Sequence, residues 1–152
     1  MMLKDLMTAP VITCRSNASL GEAARLMLDE NRGCLPIVDG RGHLAGIFTD
    51  RDVCLAVARH CDPAKTSVRE VMTRNVVTCR DDDPLETALV AMKQHQLRRI
   101  PVVNSRGTVK GLISIDDAIR NTGLAEGRLP AEAVMDVLRH ICTPEYDRLL
   151  AG

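Results

Sequence analysis

Aromatic side chains are almost missing from this sequence: Phe48 and Tyr146 are the whole complement, 1% of the chain, and there is no tryptophan. The core must therefore be built from aliphatic residues. A planar ligand has to lie between them, because stacking platforms are lacking, which argues against a single-stranded nucleic-acid binder. A surplus of one charge is lacking too. Lys plus Arg and Asp plus Glu are both 20, a formal net charge of +0, so there is no global field to hold a polyanion or a membrane surface. No run approaches the roughly 20 apolar residues of a membrane span. The start, Met1-Met2-Leu3-Lys4-Asp5-Leu6, has no signal-peptide apolar stretch, so a cytoplasmic setting without membrane insertion is expected.

Several site signatures are missing as well. No Cys-x-x-Cys or His-x-x-x-His spacing accompanies His60-Cys61 or His140-x-Cys142, so no metal site is expected. The absence of Gly-x-x-x-x-Gly-Lys-Ser/Thr excludes a P-loop hydrolase, and no nucleophile with its own His and acid can be placed by spacing. The expected class is not an enzyme. Cys14, Cys34, Cys54, Cys61, Cys79 and Cys142 are dispersed and read as reduced thiols, with Cys14 and Cys79 as small core fillers.

What is present is a composition of 45% hydrophobic and 26% charged residues, that of a globular chain able to bury a core, and an internal repeat. Gly46-Ile47-Phe48-Thr49-Asp50-Arg51-Asp52 recurs as Gly111-Leu112-Ile113-Ser114-Ile115-Asp116-Asp117, and the same shift of 65 positions superposes most of the chain on itself. Leu3 to Thr8 and Val68 to Thr73 are lead-in turns with the same apolar ends. Val11-Ile12-Thr13-Cys14 and Val76-Val77-Thr78-Cys79 read as buried β-branched strands. Ser19-Leu20-Gly21-Glu22 has capping-box form and opens an amphipathic helix; its counterpart takes Asp83 as cap and Pro84 as first helical residue.

Leu35-Pro36-Ile37-Val38 and Ile100-Pro101-Val102-Val103 are strands whose early proline argues for an edge position or a strand end. Turns at Asp39 to Gly42 and Asn104 to Gly107 lead into strands 44–48 and 109–113. Gly40-x-Gly42-x-x-Ala45 spells a dinucleotide fingerprint but joins strand to strand, so it reads as a hairpin turn. Helices follow at about 50–59 and 115–121. Each half is thus β-α-β-β-α, with residues 1–62 as the first repeat, 63–123 as the second and 124–152 as an extension. In that extension Ala131, Val134, Met135, Leu138 and Ile141 fall at helical spacing, for a helix that either covers an edge or makes a dimer contact. Tyr146 to Gly152 reads as a tail.

Thr49-x-x-Asp52 and Ser114-x-x-Asp117 stand where a strand turns into a helix. The plainest reading is an N-cap hydroxyl with an acid near the positive helix end. The same geometry also serves a ligand: helix N–H groups and the hydroxyl meet a phosphate, the carboxylate accepts from a ribose diol, and Gly46 and Gly111 leave room for it. Arg98-Arg99 in the second repeat, against Gly33-Cys34 in the first, either is a solvated pair or supplies charge to a phosphate, which would make the two repeats unequal.

The repeat with Met-Thr at 7–8 and 72–73, the Leu/Ile-Pro-Ile/Val-Val strands and Gly-x-x-Thr/Ser-x-x-Asp resembles a tandem pair of cystathionine-β-synthase (CBS) domains, a Bateman module, over residues 3 to 122. The resemblance implies an α/β (α+β) fold with pseudo-two-fold symmetry, whose inter-repeat cleft binds AMP, ADP, ATP, NAD(H) or S-adenosylmethionine as a regulatory ligand, with no cofactor required. It implies that Asp52 and Asp117 hold ribose hydroxyls, that Thr49 and Ser114 touch ribose or phosphate, and that Ile12, Val77, Ile47 and Leu112 line an adenine slot. It also counts Pro36 and Pro101 among the nucleotide-binding residues and implies that Arg98 and Arg99 reach phosphates. A homodimer, energy sensing and a regulated enzyme or transporter as partner are further expectations. The competing reading is a structural or protein-interaction module in which the Thr/Ser-Asp pairs are only helix caps.

Overall fold

The computed structural model describes residues 1–123 and 128–143; the tail expected over Tyr146 to Gly152 lies outside them. Each half repeats one order of elements. The first runs through helix α1 (Leu3–Leu6), strand β1 (Cys14–Arg15), helix α2 (Leu20–Asp29), strands β2 (Cys34–Val38) and β3 (Leu44–Thr49) and helix α3 (Asp50–Ala58). The second runs through α4 (Val68–Val71), β4 (Cys79–Arg80), α5 (Leu85–His95), β5 (Arg99–Val103), β6 (Val109–Ser114) and α6 (Ile115–Arg120), followed by α7 (Ala131–Cys142). Each half carries a three-stranded sheet, ordered β1-β2-β3 and β4-β5-β6, so the mixed α/β class holds.

The proline-bearing strands are central, not at an edge. In the first sheet β2 runs parallel to β1 and antiparallel to β3, with Pro36 opposite Ile47. Ile47 exchanges both of its backbone hydrogen bonds with Thr73, at 2.9 Å each, and has none left for Pro36. Pro36 nitrogen therefore faces the other side, where β1 begins only at Cys14 opposite Ile37. A proline fits a central strand here because the neighbour stops short of it.

That short neighbour is a second departure from expectation. Val11 to Thr13 and Val76 to Thr78 are not in strands; β1 and β4 are two residues each, and the apolar run is half-buried, with Ile12 and Val77 packed on core side chains. A buried apolar run need not be ladder-paired. A third departure concerns α5: Pro84 is its N-cap and Leu85 its first residue, while Asp83 Oδ2 accepts from the Arg80 N–H at 2.8 Å and so closes the preceding turn instead.

The chain divides into two compact units, one made of 1–9, 77–102 and 110–152, the other of 10–76 and 103–109. Each repeat's lead-in thus belongs with the other repeat's strands. Leu3 is fully buried among Leu85, Met92, Ile100 and Ile113, and Val68 among Leu20, Leu35, Ile37 and Phe48. The backbone follows suit: Thr8 pairs with Leu112 on β6 (3.0 and 3.1 Å) and Thr73 with Ile47 on β3.

This placement explains Gly46 and Gly111 differently from the expectation that they make room for a ligand. A Cβ on Gly46 would lie 2.8 Å from Thr73 O and against Met72 Sδ; one on Gly111 would lie 2.9 Å from Thr8 O and against Met7 Sδ. The space is filled by the Met-Thr lead-ins.

Helix α7 packs on α5 and α6. Val134 and Val137 are buried and Ala133, Leu138 and Ile141 half-buried, while Met135 stands 48% exposed, so the helix is turned from the face expected for it. Lys93 on α5 makes an ion pair with Asp136 at 2.6 Å, and Gln96 Nε2 donates to the His140 and Thr143 carbonyls.

Candidate functional site

The hairpin turns are a useful control on the repeat. Asp39 Oδ1 accepts from the Arg41 and His43 N–H groups (2.8 and 2.9 Å), Asn104 Oδ1 accepts from Arg106 and Thr108 (3.0 Å each), and Gly42 and Gly107 follow at φ +79° and +78°. Both are side-chain-capped turns that only glycine completes without strain. The dinucleotide spelling at Gly40 therefore belongs to a hairpin.

Beyond β3, Thr49 ends the strand and caps α3. Its backbone N–H and its hydroxyl both donate to Asp52 Oδ2, at 2.7 and 2.9 Å. Ser114 does the same at the start of α6, N–H and hydroxyl donating to Asp117 Oδ2 at 2.8 and 2.6 Å, and its Oγ accepts from the Asp117 N–H at 3.2 Å. In each repeat the hydroxyl hydrogen is committed to the acid. The hydroxyl consequently orients the carboxylate, with one oxygen tied to the cap and the other left over.

The second oxygens differ. Asp52 is half-buried, and among the described residues its Oδ1 accepts no hydrogen bond. Asp117 is 3% exposed, and its Oδ1 takes an ion pair from Arg120 Nη2 one turn along α6. Arg120 was not singled out from the sequence, although Asp117-x-x-Arg120 has the spacing at which helical side chains meet. The equivalent residue after Asp52 is Leu55, 40% exposed.

Charge differs between the repeats as well. Asp50 follows Thr49, and its carboxylate would stand 3.0 Å from a Cβ on Gly33, whereas the equivalent Ile115 is buried. Arg98 and Arg99 are exposed in the second repeat, Arg98 with only a weak 4.0 Å contact to Cys142 Sγ.

The remaining residues divide between the two compact units. Ile12, Pro36, Ile47, Thr49 and Asp52 fall in one, and Val77, Arg98, Arg99, Pro101, Leu112, Ser114 and Asp117 in the other. Ile12, Ile47, Val77 and Leu112 are half-buried aliphatic residues. Pro36 and Pro101 are fully buried and shape the strands from within. A cavity of about 230 Å³ lined by Arg15, Ser16, Asn17, Val38, Asp39 and Gly40 takes in none of these residues. It lies at the far end of β2 from Thr49, which pairs with Cys34.

Cys14 and Cys79 are buried thiols whose pKa burial pushes up, that of Cys79 to about 11, which leaves them protonated and inert. No cluster of three metal-ligating side chains occurs among the described residues.

The CBS domain profile matches residues 3–59 and 68–122, both copies of the repeat. The chain belongs to the CBS domain family. Among its relatives, the CBS domain-containing protein YhcV of Bacillus subtilis is 38% identical over 119 residues, covering 78% of this chain and 84% of that protein. L-aspartate semialdehyde sulfurtransferase of Methanocaldococcus jannaschii is 36% identical over 122 residues, 80% of this chain but 23% of that protein, so the CBS pair here matches about a quarter of the enzyme's length.

Of solved structures, the CBS domain pair of protein MJ0100, in complex with 5′-methylthioadenosine and S-adenosyl-L-methionine, is 36% identical with a TM-score of 0.72, over 79% of this chain and 94% of that one. CBSX2, in complex with AMP, shares the CBS fold at 23% identity, with a TM-score of 0.69 over 78% of this chain and 93% of that one. No helix among the described residues is long and apolar enough to cross a membrane.

Proposed function

We propose that this CBS pair is a regulatory module that binds an adenosyl compound and signals its occupancy to a partner. The observation that carries the reading is the carboxylate of Asp52, fixed through Oδ2 by the Thr49 N–H and hydroxyl while its Oδ1 accepts no hydrogen bond among the described residues. A preoriented acceptor of this kind suits a ribose hydroxyl, and the aliphatic residues suit a planar base in a chain nearly without rings. Support also comes from the adenosyl ligands of the 36% identical MJ0100 pair. Candidate ligands are AMP, ADP, ATP, NAD(H), S-adenosylmethionine and 5′-methylthioadenosine. Arg98 and Arg99, exposed and without a carboxylate partner among the described residues, are the candidates to give an anionic ligand of the second repeat its counter-charge.

Binding regulates only if the ligand prefers one arrangement of the protein over another. The role is regulatory and not catalytic, in the cytoplasm, with an enzyme or transporter as the partner. A homodimer is part of this reading. A structural or interaction module is the second reading. It is favoured by one fact, that Asp117 is fully satisfied inside its own cap without any ligand.

Native mass spectrometry of the purified chain separates the two. An adenosyl compound bound to the wild type and lost from the Asp52→Ala variant supports the first reading; a chain that carries none and takes up none on titration establishes the second.

A further inference from the structure

The ribose reading, on which this inference rests, treats Asp52 and Asp117 as equivalent acceptors, but their surroundings do not. Both carboxylates spend Oδ2 on the cap hydroxyl and N–H. In the second repeat Arg120 then takes Oδ1 as well, and the Asp117 side chain is left 4% exposed while that of Arg120 is 65% exposed. A ribose diol approaching Asp117 must displace a cation from a buried anion and put a neutral donor in its place, an unfavourable exchange. In the first repeat the residue one turn on is Leu55, which has no donor, and Oδ1 of Asp52 is open to an incoming hydroxyl.

We propose that Arg120 is a specificity-determining residue: it latches Asp117 shut, so that the first repeat reads the ribose tightly and the second takes a ligand only by opening the ion pair. The arginine is itself mostly in water, which makes the latch releasable. The repeats thus share one acceptor and differ in its availability, through a single side chain three residues downstream.

Isothermal titration of the full chain with AMP and with 5′-methylthioadenosine tests this on the wild type, Arg120→Leu, Leu55→Arg and Asp52→Ala. Arg120→Leu gives the second repeat the residue of the first, and its site should tighten by about tenfold, the effect of roughly 1.4 kcal/mol. Leu55→Arg installs the latch beside Asp52 and should weaken the tight site by about the same factor; it decides the matter should Arg120→Leu not fold. Unchanged affinities and stoichiometry in both variants, with Asp52→Ala abolishing tight binding, would overturn the latch and leave the ribose reading standing. Tight binding that survives Asp52→Ala, or no binding of either probe to the wild type, overturns both.

Discussion

The two strand-to-helix junctions have the same backbone, the same hydroxyl–carboxylate pair and the same glycine upstream, yet one acid is open and the other is closed by Arg120. The contrast teaches that duplication conserves what packing demands more strictly than what surrounds the acid. Gly46 and Gly111 are constrained alike because each lies under a Met-Thr lead-in that no Cβ could share. Positions 55 and 120 lie on exposed helix faces, where packing tolerates leucine or arginine, and there the repeats have diverged.

The largest expected effect probes the cores. Phe48 is fully buried where the second repeat has Ile113. Phe48→Ala should cost about 3–5 kcal/mol, and Phe48→Ile, which borrows the other repeat's solution, about 1–2, read from denaturant midpoints at constant slope. Equal losses for the two variants would contradict the equivalence of these positions.

Gly46→Ala and Gly111→Ala come next. Each forces a methyl against a backbone carbonyl and a methionine, at a cost of about 1–3 kcal/mol. The two should match closely, and a large inequality would mean that the lead-ins are not interchangeable.

The acids themselves should separate in stability. Asp117→Ala removes a buried cap and strands Arg120, for a loss of about 2 kcal/mol, whereas Asp52→Ala removes a half-buried cap, for about 1. Thermal melts check the order, and a greater loss at Asp52 would break the comparison.

The smallest effect is in pH. The Ser19 N–H and hydroxyl hold the Glu22 carboxyl below its ordinary value, so this stabilisation is complete above that value and is lost as pH falls through the depressed one. Helix α5 opens on Pro84 with no side-chain cap. Hydrogen-exchange protection in the first turn of α2 should therefore fall below about pH 4 relative to that of α5; parallel changes in both helices would rule the capping contribution out.

Much of this was legible in the chain. The 65-residue shift, the helical spacing of Leu85, Ala88, Leu89 and Met92, the Ser19–Glu22 box and the turn chemistry around Asp39 and Asn104 are local patterns, and each corresponds to an element found. What was not legible depends on neighbours distant in sequence. Pro36 sits in a central strand because β1 ends before reaching it, and nothing in either stretch alone says so. Val11 to Thr13 look like a strand because burial and pairing leave the same apolar signature. The lead-ins exchange repeats, a fact carried by Thr8 and Thr73 bonding to strands more than a hundred and about twenty-five residues away, respectively. Arg120 was within reach: aligning the repeats sets it against Leu55, but its importance shows only once Asp117 is seen to be buried.

The most direct test of the account is the stoichiometry of an adenosyl ligand against the two acids taken one at a time. Titrating 5′-methylthioadenosine or AMP into Asp52→Asn and Asp117→Asn chains should show the tight site lost in the first and retained within about threefold in the second. Loss of the tight site on changing Asp117, with Asp52→Asn binding as the wild type does, would contradict it.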